Sequence, residues 1–133
     1  MTSIDLAVVG AHLAGMPLHH QLVERDARFV RCCRTAPTYR LYAIAGSKPP
    51  KPALVHAAGG AAIEVEIYKL DVAAFGSFVA EVPAPLAIGT ITLDDGTTVK
   101  GFLAEPRAMN GAEDITPLGG WRAYVARQQV PSE

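Results

Sequence analysis

The chain has 133 residues, half of them hydrophobic and 19% charged, with a formal net charge of -1. That length suits one domain with a single core, and that balance describes a globular rather than a disordered chain. The near-zero charge gives no electrostatic argument for nucleic acid, and no apolar run approaches the roughly 20 residues that span a bilayer.

The N-terminal Met1-Thr2-Ser3-Ile4-Asp5 carries neither a basic n-region nor a signal-type cleavage site. Cys32 and Cys33 are adjacent, and in a strand their side chains point to opposite faces, which argues against an ordinary disulfide. They read as small strand residues in a reducing compartment. The expected location is the cytoplasm, with no membrane and no nucleic acid among the partners.

Residues 4–9 form a nearly continuous apolar run, the pattern of a short strand covered on both faces. The loop Gly10-Ala11-His12-Leu13-Ala14-Gly15 follows. A helix is predicted over 17–25, with Pro17 in the first turn, where its missing N–H costs nothing. Leu18, Gln21 and Leu22 share one face of that helix, while Glu24, Arg25 and Asp26 end in solvent. Residues 28–32 alternate as a strand, with Phe29 and the cysteine face half buried.

Thr35-Ala36-Pro37-Thr38 is a turn or loop. In the next strand, 39–45, Leu41, Ala43 and Ala45 face one way and Arg40, Tyr42 and Ile44 the other. Gly46 to Pro52 is irregular, because three of its seven residues lack an N–H. A brief strand over 53–57 and a turn at Gly59-Gly60 lead to the clearest strand, 62–70. There Glu64 and Glu66 share a face at i, i+2. Asp71 caps a helix over 72–81, whose apolar stripe is Phe75, Phe78 and Val79. Val82-Pro83-Ala84-Pro85 stops it.

Residues 88–93 and 97–104 flank Asp94-Asp95-Gly96, a strong hairpin signal. Residues 105–111 are loop or a short helical turn. A last helix starts near 119, and its final residues are expected to fray. The sum is roughly six strands and three helices, a mixed α+β domain with a curved or partly closed sheet, in which the first strand–helix–strand unit is a candidate for parallel pairing. There is no internal repeat and no linker.

Histidines 12, 19, 20 and 56 fall into no metal-ligand spacing, so no metal is expected. Ser3, Ser47 and Ser77 sit in no nucleophile elbow. The glycine loop has the spacing G-x4-G, not the dinucleotide G-x-G-x-x-G. A strand that ends in a glycine turn before a helix leaves N–H groups pointing at one spot, which suits an anion. The plainer alternative is a tight turn in which His12 makes one satisfied hydrogen bond. Lys48 and Lys51 either hold a charge over a pocket or are simply solvated. Arg122 is a ligand-holding cation or a surface arginine stacked on an aromatic ring. Glu64 and Glu66 are a paired-carboxylate site or the wet side of a sheet.

Six segments carry a resemblance over about 6–126. They are Gly10 to Leu18, Thr35 to Tyr42, Pro49-Pro50-Lys51-Pro52, Phe75-Gly76-Ser77-Phe78-Val79, Pro83-Ala84-Pro85-Leu86 and Gly119-Gly120-Trp121-Arg122. Their order and spacing resemble the C-terminal domain of allophanate hydrolase. The resemblance implies a single domain over 1–133, with an ordered core over about 4–127. It also implies a γ-glutamyl cyclotransferase-like fold, a small, partly closed β-barrel-like sheet with about three helices, whose first strand ends in a substrate-binding loop.

In allophanate hydrolase an amidase domain with a Ser-cis-Ser-Lys machinery releases ammonia and leaves N-carboxycarbamate. The C-terminal domain is implied to decarboxylate that product. By this resemblance His12 is the catalytic acid, and Gly10, Ala11, Leu13, Tyr39, Arg40, Lys51 and Arg122 bind a small anionic substrate. No cofactor is required, because a proton neutralises the nitrogen leaving group. Two alternatives stand beside this reading. One is a non-catalytic module that docks onto a separate amidase subunit or forms a homodimer. The other is a γ-glutamyl cyclotransferase-like lyase, against which the register argues: Val82 stands where the cyclotransferases carry a glutamate, with Glu81 one residue off.

Overall fold

The computed structural model describes residues 2–129. In chain order the elements are β1 (Ser3–Val8), α1 (His20–Val23), β2 (Arg28–Arg34), β3 (Tyr39–Ala43), β4 (Pro52–His56) and β5 (Glu64–Asp71). They continue with α2 (Val72–Ala80), β6 (Leu86–Thr92), β7 (Thr98–Ala104), β8 (Glu113–Asp114) and α3 (Trp121–Gln129). Single 3-10 turns cover Pro106–Met109 and Thr116–Leu118. Fraying of 130–133 lies outside the described residues. No described helix is long and apolar enough to cross a membrane.

A five-stranded sheet has the order β2-β5-β1-β7-β6, and a three-stranded sheet the order β4-β3-β8. β1 lies at the centre of the larger sheet, antiparallel to β5 and parallel to β7. That position explains its nearly continuous apolar run, since Leu6, Ala7 and Val8 are all buried. The hairpin of β6 and β7 forms as expected, with Gly96 at positive φ in its turn. Asp71 caps α2 by accepting the Ala74 N–H at 2.8 Å, and Phe78 is the buried member of the helix's stripe.

Four details differ from the sequence pattern. The helix expected over 17–25 is one turn, His20–Val23. The residues before it form successive i, i+3 turns, and the Leu18 N–H reaches back to the Ala11 carbonyl at 2.8 Å instead of joining a helix. Phe29 is 58% exposed and Cys32 is exposed as well, because β2 is a sheet edge and only one flank of the Phe29 ring leans on Tyr68. β5 buries both faces, Glu66 and Tyr68 included, as an inner strand does. Finally, β1 and β2 are separated by β5, so the parallel partner of β1 is β7.

The two sheets meet where β1 ends. The Pro52 ring at the start of β4 sits on Gly10, and a Cβ at that glycine would lie 2.1 Å from Pro52 Cδ. Gly10→Ala is therefore expected to cost about 1–3 kcal/mol through overpacking. Adding Pro52→Ala removes the ring and should recover part of that loss. Denaturant midpoints of the two single variants and the double variant measure the coupling. Additive losses would show that the contact does not limit the approach of the sheets.

Candidate functional site

The segment after β1 is pinned before it can become a helix. The Leu13 N–H closes a turn on the Gly10 carbonyl at 3.0 Å, and the Met16 N–H closes the next on Leu13 at 2.9 Å. Gly15 takes φ +82°, a region that glycine enters freely. Both polar groups of Ala14 are held from outside: its N–H donates to Glu66 Oε1 at 3.0 Å and its carbonyl accepts from Arg122 Nη2 at 2.9 Å. Glu66 Oε2 accepts from the same guanidinium at 2.6 Å, and the Tyr68 hydroxyl donates to Oε1 at 3.0 Å. Burial alone would raise the Glu66 carboxyl. The bonds from Ala14, Arg122 and Tyr68 outweigh it and hold the group below its ordinary 4.5.

The clamped loop carries His12 inward, where it is 6% exposed. Its ring stacks on Phe102 at 4.9 Å between centroids and meets Phe78 edge-on at 5.0 Å. Nε2 lies 2.7 Å from Gln21 Oε1. With the carboxamide oriented so, Nε2 donates and Nδ1 holds the free lone pair. The His12 carbonyl accepts from His19 Nδ1 at 2.9 Å. Burial pushes the His12 pKa below 6.5; the Gln21 bond opposes this and the Lys51 charge adds to it.

His12 borders a small cleft with Val9, Gly10, Ala11, Lys51, Pro52, Leu86 and Phe102. Its free volume is about 10 Å³, about that of one water probe. Lys51 and Leu86 also line a larger groove of about 250 Å³ between the proline-rich loop and Pro83-Ala84-Pro85. Among the described residues no backbone carbonyl takes the N–H groups of Gly10, Ala11 or His12.

The structure thus brings together His12, Gly10, Ala11 and Lys51. Leu13 points into the core, 1% exposed. Tyr39 is buried elsewhere, where its hydroxyl accepts the Thr92 N–H at 3.0 Å. Arg40 pairs with Asp114 at 2.6 Å on the three-stranded sheet. Arg122 reaches Glu66 and the loop backbone rather than the cleft, and among the described residues it stacks on no ring; the cation over Tyr124 is Arg127. Gln21, Phe78 and Phe102 complete the surroundings of His12. In the sequence Gln21 is only a polar residue on an apolar helical face, and Phe102 is one residue of a hairpin strand.

Comparisons with known proteins follow the same outline. The family model for the allophanate hydrolase C-terminal domain matches residues 4–126. The urea amidolyase of Saccharomyces cerevisiae is 43% identical over 128 residues, which are 92% of this chain and 7% of that protein. A structure of Kluyveromyces lactis allophanate hydrolase superposes with a TM-score of 0.93 at 39% identity, covering 97% of this chain and 22% of the other. The crystal structure of a uropathogenic E. coli-specific protein gives 0.87 at 38% identity, covering 95% of this chain and 98% of that one. In fold alone, a γ-glutamyl cyclotransferase superposes at 0.60 with 14% identity, covering 85% of this chain and 70% of that one. The architecture is therefore the α+β fold of the cyclotransferase-like proteins.

The clamp on Ala14 has a pH signature. Glu66 is held ionised below 4.5, so its contribution to stability is complete above 4.5 and is lost as pH falls through the lower folded value. Arg122→Met is expected to lower stability at pH 7 by about 1–2 kcal/mol, a modest figure because the guanidinium is partly solvated. The gap to the parent protein should narrow below pH 4.5. Denaturant titrations between pH 3 and pH 7 test this, and a constant gap would mean that Arg122 acts through packing rather than charge.

Proposed function

The chain belongs to the allophanate hydrolase C-terminal domain family, and from that premise we propose that it decarboxylates N-carboxycarbamate, left by allophanate deamination in urea breakdown, or a similar small dicarboxylate. The observation that carries this reading is His12 itself: a buried imidazole, oriented by Gln21, on a cleft whose one cation is Lys51. The curated relative is far longer than this chain, which spans 7% of it, so the deamination step is assigned to another polypeptide segment.

The reaction breaks one C–N bond. The electron pair stays on nitrogen, the carboxyl carbon leaves as CO2, and nitrogen takes one proton to give carbamate. His12, protonated at Nδ1, supplies that proton. The Lys51 ammonium offers hydrogen bonds to the carboxylate that remains. Val9, Leu86 and Phe102 give the cleft an apolar wall. Such a wall favours loss of charge from the departing carboxylate, which becomes neutral CO2.

Burial keeps His12 neutral in the free protein at pH 7. A dianion in the cleft reverses that preference, so ligand binding takes up a proton. Binding should therefore tighten as pH falls through 6.5 toward the lower folded value. Calorimetry with malonate in buffers of different ionisation enthalpy measures the uptake, which His12→Asn should abolish. Turnover is tested by mixing the protein with an allophanate-hydrolysing amidase. CO2 release should accelerate while initial ammonia release is unchanged, and His12→Ala should lower the acceleration by about 10²–10⁴-fold. Identical CO2 traces with and without the protein would refute the reading.

A second reading, docking onto a separate amidase subunit, draws support from β2. It is an edge strand with Phe29 and Val30 exposed, and co-elution with an amidase without added turnover would favour it. Cyclotransferase chemistry finds less support. Val82 and Glu81 do not line the His12 cleft, and Glu81 pairs with Arg25 at 2.8 Å.

A further inference from the structure

The cleft beside His12 is too small for the proposed substrate, which has seven non-hydrogen atoms, so the body of the ligand must lie elsewhere. The adjoining groove has about 250 Å³ and shares Lys51 and Leu86 with the cleft. Its lining includes Lys48 as well as Lys51 and contains no aspartate or glutamate. The other two lysines of the chain are engaged: Lys69 pairs with Asp5 at 2.7 Å and Lys100 donates to Thr90 at 3.0 Å. Lys48 and Lys51 have no such partner among the described residues. The two unengaged ammonium groups therefore fall in one groove that has no counter-charge of its own.

The loop that carries them is fixed at its base. The Ile44 N–H donates to the Lys51 carbonyl at 3.0 Å, and the Lys51 N–H donates to Ser47 Oγ at 2.9 Å. Lys48 sits inside this closed turn. Only the lysine side chains need ordering when an anion arrives, which lowers the entropic cost of binding.

We propose that this groove is an outer carboxylate subsite in which Lys48 acts together with Lys51. The two lysines hold the carboxylate that is retained, while the other carboxylate points through the Lys51–Leu86 junction toward His12 and the apolar wall. Placing both cations on the retained end suits the chemistry, because a cation on the departing carboxylate would oppose its conversion to neutral CO2. The proposal rests on the reading of this site as one for small dicarboxylates, and it adds Lys48 as a binding residue outside the His12 cleft.

Malonate is the probe, titrated into the full chain by calorimetry and by amide NMR. Lys48→Met and Lys51→Met should each weaken binding about five- to tenfold, and Lys48→Arg should restore most of it. Lys100→Met, on a different face, should bind as the parent does. Amide shifts should concentrate at Ile44 to Lys48, Lys51, Ala84 and Leu86. Unchanged affinity in Lys48→Met, shifts confined to other surfaces, or no malonate binding by the parent would each overturn the subsite. The coupled CO2 assay separates this proposal from the one it rests on. Malonate binding that depends on Lys48, without CO2 acceleration, keeps the subsite and refutes the decarboxylase. CO2 acceleration that is equal in the parent and in Lys48→Met at limiting substrate does the reverse.

Discussion

The site depends on one buried carboxylate. Glu66 is an acid on an inner strand, 5% exposed, and an ionised carboxylate there is costly unless its oxygens are occupied. They are occupied by groups from three places: a backbone N–H of the loop after β1, a hydroxyl on its own strand and a guanidinium at the start of α3. Arg122 can reach because α3 begins close to β5. The Gly119 carbonyl accepts the Glu64 N–H at 2.9 Å, and a Cβ at Gly120 would stand only 3.0 Å from Glu64 Cβ. Those two glycines let the helix start approach the strand, and the approach lets one arginine tie Glu66 to Ala14.

Anchoring Ala14 constrains His12 two residues earlier. Between the fixed Ala14 and the Gly10–Pro52 contact, the loop has little freedom to swing outward. The imidazole is pressed between Phe78 of α2 and Phe102 of β7, with Gln21 of α1 on its Nε2. Burial among these groups favours a neutral ring, and the Gln21 bond favours charge. The resting protein thus favours the unprotonated imidazole. A ligand that brought negative charge into the cleft would reverse that balance and couple protonation to occupancy.

Much of the framework was legible because it rests on local rules. The apolar run of β1, the Asp71 cap and the Asp-Gly hairpin each follow from a few neighbouring residues. The pattern of Pro17 followed by Leu18 and Leu22 overstates the helix after the loop, because it describes an isolated segment. In the folded chain Leu18 is drawn back to Ala11 and the turns tighten. Glu66 left both of its readings open, since strand periodicity says which residues share a face but not whether another layer covers that face. The resemblance implies that Arg122 and Tyr39 bind the ligand, while in the fold Arg122 Nη2 donates to Glu66 and the Tyr39 hydroxyl accepts the Thr92 N–H. Gln21 could have been singled out by asking why a carboxamide lies on a helix face with Leu18 and Leu22.

The same geometry keeps Lys48 out of the His12 cleft. A lysine pressed against His12 would disfavour the imidazolium in proportion to its nearness, and in a dry cleft that repulsion is weakly screened. Lys51, at the junction, already contributes to the lowering. Placing Lys48 on the outer turn supplies further positive charge where solvent screens it from His12 but where an anion in the groove can still reach it. In the proposed reaction, an inner wall of Val9, Leu86 and Phe102 and an outer rim of lysines meet opposite demands on either side of Lys51. The backbone secures the division: Pro52 packed on Gly10 sets the inner wall, and the Ile44–Lys51 closure sets the rim.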